Sequence, residues 1–197
     1  DRRALFASYQ YLVLGTIGAT FFVIAIGLLY IATGTLNMAD LAERLPALSS
    51  NTVVIAAYAF LIVGLSLKLA LFPLHLWLPN AYTFAPSVVS ALLAGTATKV
   101  GVYLLLRFMF GVFGVDFSIG EHPVAGLLMP LAMVAAVSCS LVAITQVNVK
   151  RLLAYSSLAQ IGYIVLGISL ANETGLTGAV VHLFNHALMK GAMFIAL

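Results

Sequence analysis

The chain has 197 residues, of which 63% are hydrophobic and only 8% charged, with a mean hydropathy of +1.13 and a net charge of +3. So apolar a composition excludes a soluble domain, and nine scattered basic residues make no nucleic-acid-binding patch. The lone cysteine, Cys139, excludes an intrachain disulfide and a multi-cysteine metal or cluster site.

The reading is an all-α, multi-pass membrane protein, a bundle of about six transmembrane helices in one transmembrane domain over residues 1–197. A helix needs roughly 20 mainly apolar residues to cross the hydrocarbon core. Runs this long without strict alternation exclude a membrane barrel. Residue 1 is Asp rather than Met, and the chain stops inside an apolar run, so an excerpt of a longer protein is expected.

In chain order, the first span is expected over 8–33, with small residues Gly15 and Ala19 at helix-packing spacing. TLNMADLAERLP follows, read either as a short amphipathic helix at the membrane surface or as a solvated loop: as a helix, Asn37 is its N-cap, Met38, Leu41 and Leu45 share a face, and Pro46 stops it. The second span, 52–72, runs into LKLALFPLHLWLPNA. Pro73 removes a helical hydrogen bond and clashes with the preceding turn, so the helix should break after Phe72, and Pro79 should repeat the effect. Irregular backbone at membrane depth survives only when buried in protein or lining a cavity. Residues 75–81, with His75, read either as a transporter-style break or as a turn at the cytoplasmic surface anchored by Trp77.

The remaining spans are expected over 88–113, 124–145, 152–170 and 175–197, with the pairs Ala91–Gly95 and Ala97–Gly101 in the first of them. Arg2 and Arg3 precede the first span, and Lys150 and Arg151 fall between the fourth and fifth, so both basic clusters face one side, the cytoplasmic one. A bacterial or archaeal plasma membrane suits this pattern.

Against that background the ionisable residues at membrane depth stand out: Lys68, Lys99, His182, His186 and Lys190, with His75 near the break. A lysine at a helix centre costs about 2.5–3.5 kcal/mol on insertion scales. Near a helix end it can instead snorkel to the headgroups, which is an open alternative for Lys68. Burial disfavours the charged form of a lysine, so a lysine in a wetted interior exchanges protons near neutral pH whereas one in bulk water does not. His182, His186 and Lys190 are spaced four apart, which lines them along one helix face with about 40° of drift and 6 Å of rise per step. Two histidines so spaced are also a metal-ligand pattern, but no third ligand accompanies them in the sequence, and simple packing of the two rings is the other alternative. Ser156, Gln160 and Tyr163 share a face of the fifth span, either hydrating a path or bonding between helices.

The stretches LKLALFPLHLWLPNAYTFAPSVVSALLAGTATKVGVYLLLRF, NVKRLLAYSSLAQIGYIVLG and HLFNHALMKGAMF together resemble the antiporter-like membrane subunits shared by respiratory complex I, Mrp-type Na+/H+ antiporters and membrane-bound hydrogenases. The resemblance covers almost the whole chain. It implies that Lys68 relays protons on a discontinuous helix, that Lys99 is the central residue of a hydrophilic axis, and that His182, His186 and Lys190 match polar positions on a later helix of that axis. It also implies a glutamate partner before residue 1 and a further lysine or glutamate on a second broken helix after Leu197. TGTLNMADL and NHALMKGAMF are worded closest to the D-type Mrp subunit.

The function expected from all this is proton translocation through a buried lysine and histidine relay, in an Mrp-type cation/proton antiporter. The alternatives are a pumping subunit of an NADH:quinone oxidoreductase or membrane-bound hydrogenase, and a non-transporting scaffold. Expected partners are other membrane subunits, protons, Na+ or K+, and lipid. The chain carries no dinucleotide fingerprint and no cluster ligands, so no cofactor, no metal and no redox step of its own are expected.

Overall fold

The computed structural model describes residues 2–197, and among them there is helix but no strand. The first helix, α1 (Arg2–Thr33), is followed by the short α2 (Met38–Arg44). Asn37 caps α2 as expected, its side chain accepting from the Ala39 N–H at 2.9 Å. Leu41 and Leu45 are buried, and the Arg44 guanidinium donates to the Thr33 carbonyl at 2.8 Å, which ties α2 back onto the end of α1. Arg44 also pairs with Asp40 at 2.7 Å, and that hydrogen bond holds the Asp40 carboxyl below its usual range.

The next helix, α3 (Thr52–Leu69), packs along α1. Lipid offers apolar helices no hydrophobic reward for associating, so close backbone approach has to supply the contact energy. Gly18 and Gly64 provide it: a Cβ on Gly64 would stand 2.9 Å from the Gly18 carbonyl oxygen. The expected Gly15–Ala19 seam is corrected here, because a Cβ on Gly15 would meet nothing within 4 Å.

The break comes at Leu69, three residues before the expected Phe72. The ring of a helical Pro73 would strike the carbonyl of the residue four before it, which is Leu69, so the last helical residue is set by the reach of the ring rather than by its position. Ala70 then takes a left-handed conformation (φ 59°), and residues 70–76 turn irregularly into α4 (Trp77–Phe84). Pro79 does not repeat the break. It lies in the first turn of α4, where its missing N–H has no helical partner to lose.

After α5 (Ser87–Leu92) comes a π-helical turn over Leu93–Ala97, then α6 (Thr98–Leu106) and a second π-helical segment over Arg107–Val112. Another short π segment, Asp116–Glu121, leads to α7 (Val124–Ile144). The last two helices, α8 (Val149–Ser169) and α9 (Glu173–Ile195), are each capped by an asparagine: Asn148 accepts from the Arg151 N–H at 3.2 Å, and Asn172 from the Gly175 N–H at 2.6 Å.

Among the described residues, five helices are long and apolar enough to cross a membrane: α1, α3, the Ser87–Val112 helix, α7 and α8. The sixth expected segment does form a helix of 23 residues, about 34 Å long, but His182, Asn185, His186 and Lys190 lower its apolarity below that of the others. Arg2, Arg3 and Arg151 line one cavity, and the Lys150 ammonium donates to the Ala85 carbonyl at 3.0 Å. Both basic clusters therefore sit on the same side of the bundle.

Candidate functional site

The polar side chains at membrane depth converge where the Ser87–Val112 helix, α8 and α9 meet. The π turn at Leu93–Ala97 widens its helix just ahead of Lys99, the kind of local irregularity that recurs at functional sites. Lys99 is 8% exposed. Its ammonium folds back to donate to the Ala94 carbonyl and, at 3.3 Å, to the Thr98 hydroxyl, so it turns inward and does not snorkel. Gly95 faces α9, where a Cβ would stand 3.8 Å from the Ala187 carbonyl oxygen, so the Ala91–Gly95 pair marks a real helix approach.

On α9, Lys190 is 6% exposed and donates across to α8, to the Ser156 hydroxyl at 2.5 Å and the Leu153 carbonyl at 3.2 Å. Ser156 donates its own hydrogen to Leu153 at 3.0 Å, leaving its oxygen lone pairs to the ammonium. Further along the same seam, His182 Nε2 meets Gln160 Oε1 at 2.6 Å. The His186 ring lies between these contacts, stacked on that of His182 with centroids 6.1 Å apart and planes 7° from parallel. It is fully buried, and neither of its nitrogens has a hydrogen-bonding partner in the protein. His186 is within coulombic reach of Lys99, Lys190 and His182, and Lys99 is within reach of Lys190. Two helices thus bring three buried nitrogen bases together, while α8 supplies hydroxyl, amide and carbonyl oxygens.

Four residues of the expected path and helix break lie outside this cluster. Tyr163 is 48% exposed and, with His182 and Gly175, lines a cavity of about 340 Å³ near the α8–α9 turn. Lys68 is exposed and makes no hydrogen bond with the cluster. It lines a separate cavity of about 270 Å³ with Tyr11, Gly15, Trp77 and Gly101, directly beside the helix break. His75 is half-buried, its ring 5.3 Å from that of Phe72 at 24°, and Pro73 is exposed. Trp77, read from sequence as an interface anchor, is buried and donates from Nε1 to the Leu67 carbonyl at 3.0 Å. The same carbonyl, in the last turn of α3, also accepts from the Ala70 N–H at 3.3 Å, so the indole adds a second donor where the helix ends. Sequence reasoning missed Thr98 and the carbonyls of Ala94 and Leu153. Thr98 had a visible signal, its place next to Lys99, but a carbonyl oxygen carries no sequence signal at all.

The family model described as NADH:quinone oxidoreductase/Mrp antiporter, transmembrane, matches residues 1–197. The chain is 45% identical to the N-type subunit of the NADH-quinone oxidoreductase of Desulforudis audaxviator, over 98% of this chain and 38% of that protein. It is 34% identical to the D-type subunit of the Na+/H+ antiporter of Alkalihalophilus pseudofirmus, over 95% of this chain and 37% of that one. Among solved structures, the archaeal membrane-bound sulfane sulfur reductase, a respiratory membrane complex, superposes with a TM-score of 0.90 at 39% identity, covering 100% of this chain and 39% of its own. The chain spans less than two fifths of the length of the curated relatives it matches here. With an apolar helical fold and a match along its full length, the chain belongs to the NADH:quinone oxidoreductase/Mrp antiporter transmembrane family and is a multi-pass integral membrane chain.

Proposed function

We propose that this chain is the proton-conducting core of one component of a multisubunit membrane complex, with Lys99, His186 and Lys190 as proton-exchanging groups. One observation carries the reading: the buried ammonium of Lys190 is tethered across helices to Ser156 and Leu153, within coulombic reach of His186 and Lys99. Proton transfer along a chain needs groups that hold either protonation state and acceptors within hydrogen-bonding reach. Lysine and histidine bases beside hydroxyl, amide and carbonyl oxygens supply both. His182 with Gln160 extends the row toward the α8–α9 turn, where Tyr163 lines the cavity. Lys68, beside the break at Leu69 and Pro73 and its neighbour His75, is the separate station at which protons enter or leave the chain.

Replacing Lys190 by Ala in the full protein, reconstituted with its partner subunits, is expected to slow proton movement by roughly a hundredfold, the scale on which a proton-transfer group acts. Wild-type movement in an assembled Lys190→Ala complex would overturn the assignment.

Two memberships fit this core. The D-type antiporter reading rests on the TGTLNMADL and NHALMKGAMF stretches and implies exchange of Na+ or K+ for protons. The 45% identity to an N-type subunit of NADH-quinone oxidoreductase, against 34% to a D-type antiporter subunit, favours a complex in which redox chemistry elsewhere drives the protons. Purification of the native complex separates them: flavin and iron–sulfur partners mean the redox machine, and small membrane partners alone mean the antiporter.

A further inference from the structure

At the basic side of the bundle, Arg2, Arg3, Phe6, Asn80, Phe84 and Arg151 line an open cavity of about 420 Å³. Among the described residues no carboxylate lines it, and the five acidic ones, Asp40, Glu43, Asp116, Glu121 and Glu173, fall in or beside connections at the other ends of the helices. The Arg151 side chain lies 6.0 Å from the Tyr155 ring, and its Nε is buried without a hydrogen-bonding partner. An unpartnered buried guanidinium N–H is costly to leave so, and its planar fork matches the oxygens of a phosphate. Phe84 is shared with a second cavity of about 450 Å³, which runs beside α1 past Ala7 and Tyr11 to Val89 and Leu93 and is walled mainly by apolar side chains.

The geometry points to a binding site for an anionic phospholipid of the cytoplasmic leaflet, its phosphate diester held by Arg2 and Arg151 and an acyl chain laid in the adjoining groove along α1. A basic pocket between helices at the cytoplasmic face suits an anionic headgroup. The apolar groove beside it selects a lipid over free phosphate, which has nothing to place there. This site lies apart from the proton-exchanging cluster and does not rest on its assignment.

The test is native mass spectrometry of the complete complex, delipidated and offered phosphatidylglycerol, phosphatidylcholine or inorganic phosphate. Phosphatidylglycerol is expected to be retained over phosphatidylcholine, and Arg2→Gln and Arg151→Gln each to weaken retention about fivefold, the scale of one interfacial arginine. Arg2 is exposed at the start of α1, so its variant keeps the test valid even if the Arg151 variant misfolds. Equal retention of the two lipids, or wild-type retention by the Arg2 variant, would overturn the site. Binding of inorganic phosphate without phosphatidylglycerol would overturn the lipid as its occupant.

Discussion

The two faces of α8 do opposite jobs. Toward α7 the helix presents Gly162, where a Cβ would stand 2.8 Å from the Ala136 nitrogen and 2.9 Å from the Ala132 carbonyl oxygen. Two backbones meet there with no side chain between them. Toward α9 the same helix presents Ser156 and Gln160, each engaged by a side chain of the neighbour. The first seam gains its stability from contact and leaves no room for a mobile group, while the second packs as closely only near its turn, where a Cβ on Gly167 would stand 2.9 Å from the Gly175 carbonyl oxygen, and farther along holds polar side-chain atoms in register. On the proposed function, α8 serves proton transfer with its α9 face while its α7 face does the holding.

Perturbing each face should give different failures. The largest effect is expected from Gly162→Val, whose branched side chain meets backbone that cannot rotate aside, at a cost of about 3 kcal/mol or more. Yield of assembled protein is the measurement, and normal assembly would break the account of the α7–α8 seam. Next comes Gln160→Leu on the other face, which leaves the His182 Nε2 without its partner. It should cost about 1–3 kcal/mol in thermal unfolding and slow proton movement as well.

His186→Leu sharpens the contrast further. Both nitrogens of that ring are buried without protein partners, so an apolar replacement should leave thermal stability unchanged or raise it by about 1 kcal/mol. Proton movement should nevertheless fall. A variant that loses stability and keeps transport would make His186 a packing residue. The smallest effect is expected from Tyr163→Phe, because the ring is half exposed and its hydroxyl joins no contact in the row. Stability should change by less than about 0.5 kcal/mol, and transport should stay at the wild-type level.

Much of the fold was legible because a membrane leaves a chain few options. Apolar runs gave the helices, and Asn37 marked the start of α2 through its side-chain oxygen. The one-sided arginines were legible too, since charge near span ends follows topology. Boundaries were less so: the break falls at Leu69 because a proline ring acts four residues upstream. Small-residue spacing identified the approach of Gly95 to α9, yet gave Gly15 the same weight, because a sequence does not say which face of a helix is turned to its neighbour.

The site divided in the same way. Spacing by four aligned His182, His186 and Lys190 on α9, and the shared face of Ser156 and Gln160 was readable on α8. Which of them meet is a matter of helix register across an interface, and no local pattern carries that. Lys68 and Lys99 are both lysines inside apolar runs, and only the nearness of Lys68 to a span end set them apart in sequence. In the structure one is exposed beside a broken helix and the other is buried against its own π turn.

The most direct test of the central claim is proton movement by the complete complex carrying Lys99→Met, reconstituted in sealed vesicles and followed with an internal pH-sensitive dye. Methionine keeps most of the length and apolar surface of the buried side chain while removing its exchangeable protons, so the complex should assemble and proton movement should fall to the background of empty vesicles. Wild-type rates from an assembled Lys99→Met complex would contradict the account and leave Lys99 a structural lysine.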